Sequence, residues 1–177
     1  RDGQLVGSAD VADTSIDDII KMMVGREVDR LFKRRGAHAT GEPALRDNIQ
    51  KSAVIEKAGE RIGLIGVTPV NNDELSSPGP NIVFTDPSPA IQAEIDALEE
   101  EGVDKIILLS HSGYQTDLVI AINTEGLDLI VGGHSNTLLG DMEGAAGPYP
   151  TMTNGVPIVT AFAYGKYLGE VELTFDD

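Results

Sequence analysis

The chain has 177 residues, with 29 acidic and 13 basic side chains, no cysteine and a net charge of −16. This charge argues against a nucleic-acid polymer as a partner, because phosphate backbones bind positive surfaces. The lack of cysteine excludes disulfides and thiolate metal sites, and no apolar run is long enough to predict a membrane span. The acidic excess falls in residues 52–177, where we interpret it as solvated surface.

The first 47 residues differ in pattern from the rest of the chain. The segment Arg1–Val11 is typical of a strand or hairpin, and Thr14–Asp18 has the capping hydroxyl and first-turn acids of a helix start. The segment Gly36–Pro43 has the composition of a linker. His38 lies in this linker and not at the end of an apolar run, so we do not expect it to bind a metal.

Two strands joined by a tight turn are predicted where the α/β pattern begins. Alternation over Ser52–Glu56 and a buried run over Arg61–Val67 flank Gly59, which marks the turn. The polar segment Thr68–Pro80 that follows is predicted to be a loop, of the kind that borders functional sites.

A helix is predicted to begin near Asp86. Its buried face consists of Ile91, Ile95 and Leu98, which recur at helical spacing, and Gly102 ends it.

The centre of the chain holds two short apolar runs with a helical segment between them. The runs Ile106–Leu109 and Leu127–Val131 predict buried parallel strands, and Gln115–Ile122 predicts the crossover helix that joins them. Each run ends in a step of small residues that carries a histidine, His111 after the first and His134 after the second. Because parallel strands end at the same edge of a sheet, we expect these two histidines to lie close together.

Three side chains at this edge are candidate metal ligands. Imidazole is the commonest side-chain ligand of transition metals, which points to His111 and His134, and Asn136 adds a carbonyl oxygen two residues further on. The alternative is that the histidines form structural hydrogen bonds at strand ends. Two of the three histidines in the chain occupy equivalent positions beside Gly or Ser, which favours half of a metal site.

The segment after these candidates predicts a loop and two more strands. Residues Thr137–Pro150 are rich in Gly and Pro, and their acids Asp141 and Glu143 are better explained as solvated than as ligands. Strands are predicted at Pro157–Ala161 and Gly169–Phe175.

The order of these motifs resembles a known family. LLSHSG followed by VGGHSN, with SSPGPNIVFTDPSPAIQAEIDALEEEGVDKII upstream and PYPTMTNGVPIVTAFAYGKYLGEVELTF downstream, is similar to the 5′-nucleotidase family. Residues 48–177 resemble the second half of its metallophosphatase (calcineurin-like phosphoesterase) domain. The resemblance implies an α/β fold, as part of a layered sheet sandwich with flanking helices.

The resemblance also implies a function. It is that of a metal-dependent phosphoric ester hydrolase, a phosphomonoesterase acting on a phosphate-ester substrate, in the periplasm or outside the cell. His111 and His134 would bind one divalent ion (Zn²⁺, Mn²⁺, Co²⁺ or Mg²⁺), and Asn136 stands where the family places a ligand of the second ion.

The remaining ligands of the family are missing from the sequence. The first half of the domain supplies an Asp-x-His pair and an Asn-His pair, and this chain contains neither. The aspartates of residues 10–18 are explained better by a helix start than as replacements. The alternative function is therefore a non-catalytic remnant that self-associates and has at most a weak mononuclear metal site. Loss of half a domain would expose apolar sheet surface, so we expect a homo-oligomer.

Residues 1–46 carry a second, unrelated resemblance, to the end of the first ATPase domain of sugar-importing ABC transporters. No G-x-x-x-x-G-K-[ST] motif is present, so no ATPase function is implied. We therefore divide the chain into a transporter-like helical segment with a linker, 1–47, and a metallophosphatase-like domain, 48–177. A weaker hypothesis treats residues 1–46 as a docking segment for a transporter-like partner.

Overall fold

The computed structural model describes residues 49–77 and 82–175. The predicted strand at Arg1–Val11, the helix start at Thr14–Asp18, the linker with His38 and the transporter-like segment lie outside the described residues.

A mixed six-stranded sheet organises the described part of the chain. Its strands are β1 (Ser52–Lys57), β2 (Glu60–Val67), β3 (Lys105–Ser110), β4 (Leu129–Val131), β5 (Thr151–Thr153) and β6 (Val156–Val159). The helices are α1 (Asn72–Leu75), α2 (Ser88–Glu100) and α3 (Tyr114–Asn123). The strand order is β1-β2-β3-β4-β6-β5, with β2, β3, β4 and β6 parallel and the two edge strands antiparallel. The predicted α/β class with flanking helices is confirmed.

The hairpin of β1 and β2 closes through a two-residue turn. Ala58 and Gly59 both have positive φ, 54° and 93°, between the paired residues Lys57 and Glu60. Two successive positive φ values suit the right-handed twist of hairpin strands, and glycine adopts them without strain. The predicted turn at Gly59 is confirmed.

Helix α2 has the predicted buried face and the predicted end. Ile91, Ile95 and Leu98 are each at most 3% exposed, and Gly102 follows the helix with φ 75°. Asp86 supports the start, since its Oδ1 accepts a hydrogen bond from the Ser88 N–H at 3.0 Å. No helix within residues 49–77 and 82–175 has the length and apolar character that a membrane crossing requires.

The core lies between the helices and one face of the sheet. Ile106 and Leu108 alternate along β3 with no exposed surface and pack with the buried residues of α2 and with Ile120 of α3. Strand β3 passes through α3 to β4, its parallel neighbour, as the two apolar runs predict. This unit brings the ends of β3 and β4 to one edge of the sheet.

The opposite face of the sheet retains exposed apolar side chains, and we call it the open sheet face. Residues paired across strands share a face, and so do alternate residues along a strand. By this register, four exposed apolar residues from different strands lie on the open sheet face. They are Ile55 (37% exposed), Leu109 (46%), Val131 (37%) and Met152 (58%).

Four features differ from the sequence prediction, and one of them is strand β5, which the sequence pattern did not predict. The short helix α1 forms within the predicted loop Thr68–Pro80. In the predicted loop Thr137–Pro150, Leu138 forms an isolated β-bridge with Ala161. Strand β5 begins just after that loop. The strand predicted at Gly169–Phe175 is wrong, because the described residues 169–175 have no strand pairing. These residues alternate between apolar and polar side chains, as a strand does. A strand also needs a neighbouring strand whose backbone supplies hydrogen bonds.

Candidate functional site

The loop that carries His111 is fixed to the end of β2. The His111 N–H donates to the Val67 carbonyl oxygen at 2.9 Å, and the Ser112 hydroxyl donates to the Thr68 carbonyl oxygen at 3.3 Å. His111 is exposed whereas Ser112 is buried. The backbone is therefore anchored while the imidazole remains accessible to solvent.

The loop that carries His134 has an unusual backbone. Gly132 donates to the Val159 carbonyl oxygen at 2.7 Å, and His134 and Asn136 then adopt φ values of 69° and 50°. Left-handed φ is uncommon for residues other than glycine, although histidine and asparagine adopt it more readily than most, and it marks turns as well as functional sites. Both side chains are accessible to solvent, as is that of His111, so all three predicted site residues can be reached at this edge of the sheet.

The structure brings the two histidine rings together. Their centroids are 5.1 Å apart, with 64° between the ring planes. A nitrogen ligand lies about 2.0–2.1 Å from zinc, so two imidazoles on one ion have centroids about 5 Å apart. The observed separation of the two rings matches this value. No group of three or more His, Asp or Glu residues suited to a metal occurs within residues 49–77 and 82–175, so a dinuclear ligand set is not present there.

A glycine lies next to each ring, and at Gly133 a side chain would crowd the ring of His111. A Cβ added at Gly133 would lie 3.3 Å from His111 Nδ1, and one added at Gly113 would lie 3.6 Å from His134 Cδ2. Gly113 also has φ 93°, which disfavours any other residue. The small residues noted in the sequence thus leave room for each ring beside the other loop.

A buried carboxylate beneath the two loops was missed by the sequence reasoning. Asp117 of α3 is 1% exposed, and its Oδ1 accepts a hydrogen bond from the Ser110 hydroxyl. Burial raises the pKa of Asp117 to about 6, although the hydrogen bond from Ser110 opposes that rise. The helical spacing contains a signal of this burial. It places Asp117 on the same face of the helix as Ile120 and Ala121, which are both buried.

The acids of the following loop lie elsewhere. Asp141 lines a cavity of about 580 Å³ with Tyr149 and Glu170, and neither His111 nor His134 is among the lining residues. Glu143 is exposed, and so is Asp141. The structure therefore does not bring these carboxylates into a group with the histidines.

The C-terminal part of the chain is similar in sequence to 5′-nucleotidases. No protein-family model matches the chain. The chain is 45% identical over 144 residues to the 5′-nucleotidase of Diplobatis ommata, a match that covers 76% of this chain and 25% of that protein. It is 43% identical over 134 residues to the human 5′-nucleotidase, covering 70% and 23% respectively. The chain thus spans about a quarter of the length of these relatives.

Solved structures of related fold include a 5′-nucleotidase as well. The crystal structure of a 5′-nucleotidase precursor from Thermus thermophilus matches with a TM-score of 0.68 and 42% identity, over 73% of this chain and 27% of that one. A calcineurin-like phosphoesterase from Bacillus subtilis matches in fold, with a TM-score of 0.56 and 24% identity, over 68% and 44%. The transporter resemblance of residues 1–46 is not confirmed. The C-terminal part of the chain is thus homologous to a segment of 5′-nucleotidases, with a fold similar to that of calcineurin-like phosphoesterases.

Proposed function

We propose that the chain is part of a metal-dependent phosphoric ester hydrolase, a phosphomonoesterase of the 5′-nucleotidase type. The observation that carries this proposal is the 5.1 Å separation of the His111 and His134 rings at the ends of adjacent parallel strands. Similarity to 5′-nucleotidases over most of the chain supports it.

Each site residue has a chemical role in this proposal. The imidazole nitrogens of His111 and His134 would hold one divalent ion (Zn²⁺, Mn²⁺, Co²⁺ or Mg²⁺), and the Asn136 amide would bind a second ion or a phosphate oxygen. When bound, the metal supplies charge that stabilises the phosphoryl oxygens and activates water. The accessible positions of the three side chains leave room for a phosphate ester to approach.

The charge of the domain supports metal dependence. Residues 52–177 contain 20 acidic and four basic side chains, so their field repels a phosphate ester. A divalent ion at the histidine pair would reverse the sign of the local field, because bound cations are often the largest charges in a site.

Hydrolysis of p-nitrophenyl phosphate tests the proposal. The protein is assayed with Zn²⁺, Mn²⁺, Co²⁺ or Mg²⁺ and again after chelation by EDTA. The His134→Ala variant removes one imidazole of the pair, and His38→Ala is the matched control because it removes the third histidine of the chain. We expect metal-dependent turnover that is abolished in His134→Ala and retained in His38→Ala. Turnover that survives EDTA, or that is equal in both variants, contradicts the proposal.

The second candidate is a non-catalytic remnant that self-associates. The open sheet face favours it, since an apolar sheet surface is normally covered by another layer. Val131→Thr places a hydroxyl on this face, whereas Val119→Thr changes an exposed valine of α3. Sedimentation velocity should show dissociation with Val131→Thr alone. A monomeric parent protein would remove this candidate.

The division of the chain and its location belong to the same proposal. Deleting residues 1–47 should leave metal-dependent turnover unchanged if 48–177 is the functional domain, and loss of turnover would refute the division. Loss of a transporter-like partner on the same deletion would support the docking hypothesis. Recovery of the native protein from periplasmic or extracellular fractions would support the location that the resemblance implies.

A further inference from the structure

The Asp117 carboxylate contacts the turn that contains His111. Its Oδ1 accepts a hydrogen bond from the Ser110 hydroxyl at 2.5 Å, and the same hydroxyl oxygen accepts one from the Ser112 N–H at 3.1 Å. The chain of two hydrogen bonds closes around His111, which lies between the two serines. Asp117 therefore restrains the backbone on both sides of one candidate ligand.

The other carboxylate oxygen contacts the strand end that leads to His134. A Cβ at Gly132 would lie 2.5 Å from Asp117 Oδ2, so the carboxylate occupies the space that a side chain at position 132 would need. Gly132 is held from its other side by its hydrogen bond to the Val159 carbonyl oxygen at 2.7 Å. The main chain at the end of β4 is thus confined between Asp117 and β6.

The first turn of α3 connects the same two loops a second time. The Tyr114 N–H donates to the Ser135 hydroxyl at 3.0 Å, and the Asp117 N–H donates to the Gly113 carbonyl oxygen at 2.9 Å. Ser135 follows His134 directly, so one helical turn holds both histidine loops. Outer-shell groups that hydrogen-bond directly to metal ligands change metal affinity about 10–100-fold when they are removed, and Asp117 acts one step further out, through the backbone of the two loops.

We propose that Asp117 is a positioning residue that sets the separation of His111 and His134 by joining the end of β3 to the end of β4. It is not itself a ligand, since it is 1% exposed and lies beneath the loops. Burial of a carboxylate is unfavourable, so packing alone is served better by an apolar side chain. This inference rests on the proposed metal site for its functional meaning, but the positioning can be measured without metal.

The test combines a metal-free and a metal-dependent readout. The metal-free readout is the NOE between the ring protons of His111 and His134, whose centroids are 5.1 Å apart. The metal-dependent readout is the Kd for Zn²⁺ and Co²⁺ by calorimetric titration. Asp117→Ala removes the carboxylate, and Asp117→Asn keeps an acceptor for the Ser110 hydroxyl. Thr124→Val is the matched control, because it removes a buried hydrogen bond to the Ile120 carbonyl oxygen at the other end of α3.

We expect Asp117→Ala to lose the NOE and to weaken metal binding about 10–100-fold. Asp117→Asn should retain both the NOE and the metal affinity of the parent protein. Thr124→Val should lower the stability of the protein but change neither the NOE nor the metal affinity. If Asp117→Ala does not fold, Ser110→Ala removes the same hydrogen bond and should weaken the NOE. An NOE of unchanged intensity in Asp117→Ala, or in Ser110→Ala where the former does not fold, overturns the inference. A parent protein that shows the NOE but binds no metal overturns the proposed function instead, while the positioning role stands if the variants behave as expected.

Discussion

Asp117 should make the stability of the protein depend on pH in a direction opposite to that of most carboxylates. Burial raises its pKa in the folded chain to about 6, from the ordinary value of 3.8. The folded chain therefore binds the proton more tightly than the unfolded chain. The stabilisation from protonated Asp117 is complete below the unfolded-state pKa and is lost as the pH rises through the folded-state pKa.

The magnitude follows from the two pKa values. The difference between them corresponds to about 3 kcal/mol of unfolding free energy between acidic and neutral pH, of which about 2 kcal/mol is lost between pH 4 and pH 7. Asp117→Asn carries no titrating proton at this position, so its own free energy of unfolding lacks this contribution. The variant should thus gain about 2 kcal/mol relative to the parent protein over the same pH interval.

Urea denaturation in EDTA at half-unit steps of pH measures this difference. Subtracting the two unfolding free energies at each pH cancels the titration of all carboxylates that the proteins share. A difference that remains constant from pH 4 to pH 7 would refute the reasoning, since it would show that Asp117 has the same proton affinity in the folded and unfolded chains. Glu99→Gln, at an exposed position of α2, is the control for the loss of one carboxylate.

Three further predictions concern packing and the site. Gly132→Ala should lower the unfolding free energy by about 1–3 kcal/mol in urea denaturation, because the new Cβ would meet Asp117 Oδ2. Gly66→Ala is the control and should leave the unfolding free energy unchanged, because a Cβ at position 66 would have no atom within 4 Å. Ile95→Ala, at a position with no exposed surface, should cost about 2–5 kcal/mol by the same measurement, and a loss similar to that of the exposed Ile122→Ala would contradict the assigned core. Asn136→Gly suits the φ of 50° and should preserve thermal stability while reducing metal-dependent hydrolysis; unchanged hydrolysis would exclude a role for the amide.

The central unit could be predicted from sequence because two independent signals agree there. Apolar runs give β3 and β4, and the small residues after each run mark where the strands end. Strand pairing then follows, since a parallel βαβ unit places both ends at one edge of the sheet. This is why the closeness of His111 and His134 could be expected without coordinates.

Other features depend on contacts that local patterns do not encode. The alternating segment Gly169–Phe175 has the side chains of a strand but no paired neighbour in the structure, whereas β5 is short and polar and exists because β6 pairs with it. Asp117 was missed for a related reason. An acidic residue in the first turn of a helix is usually solvated and favourable to the helix dipole, and only the packing of α3 beneath both loops buries it.

The open sheet face has a consequence for the behaviour of the protein in solution. Apolar side chains on this face favour contact between copies, while a net charge of −16 keeps the copies apart. The range of that repulsion shrinks from about 30 Å at 0.01 M salt to about 8 Å at physiological ionic strength. Ionic strength should therefore set the balance between separate and associated chains, and the protein should be most dispersed in dilute buffer and form larger assemblies as salt is added.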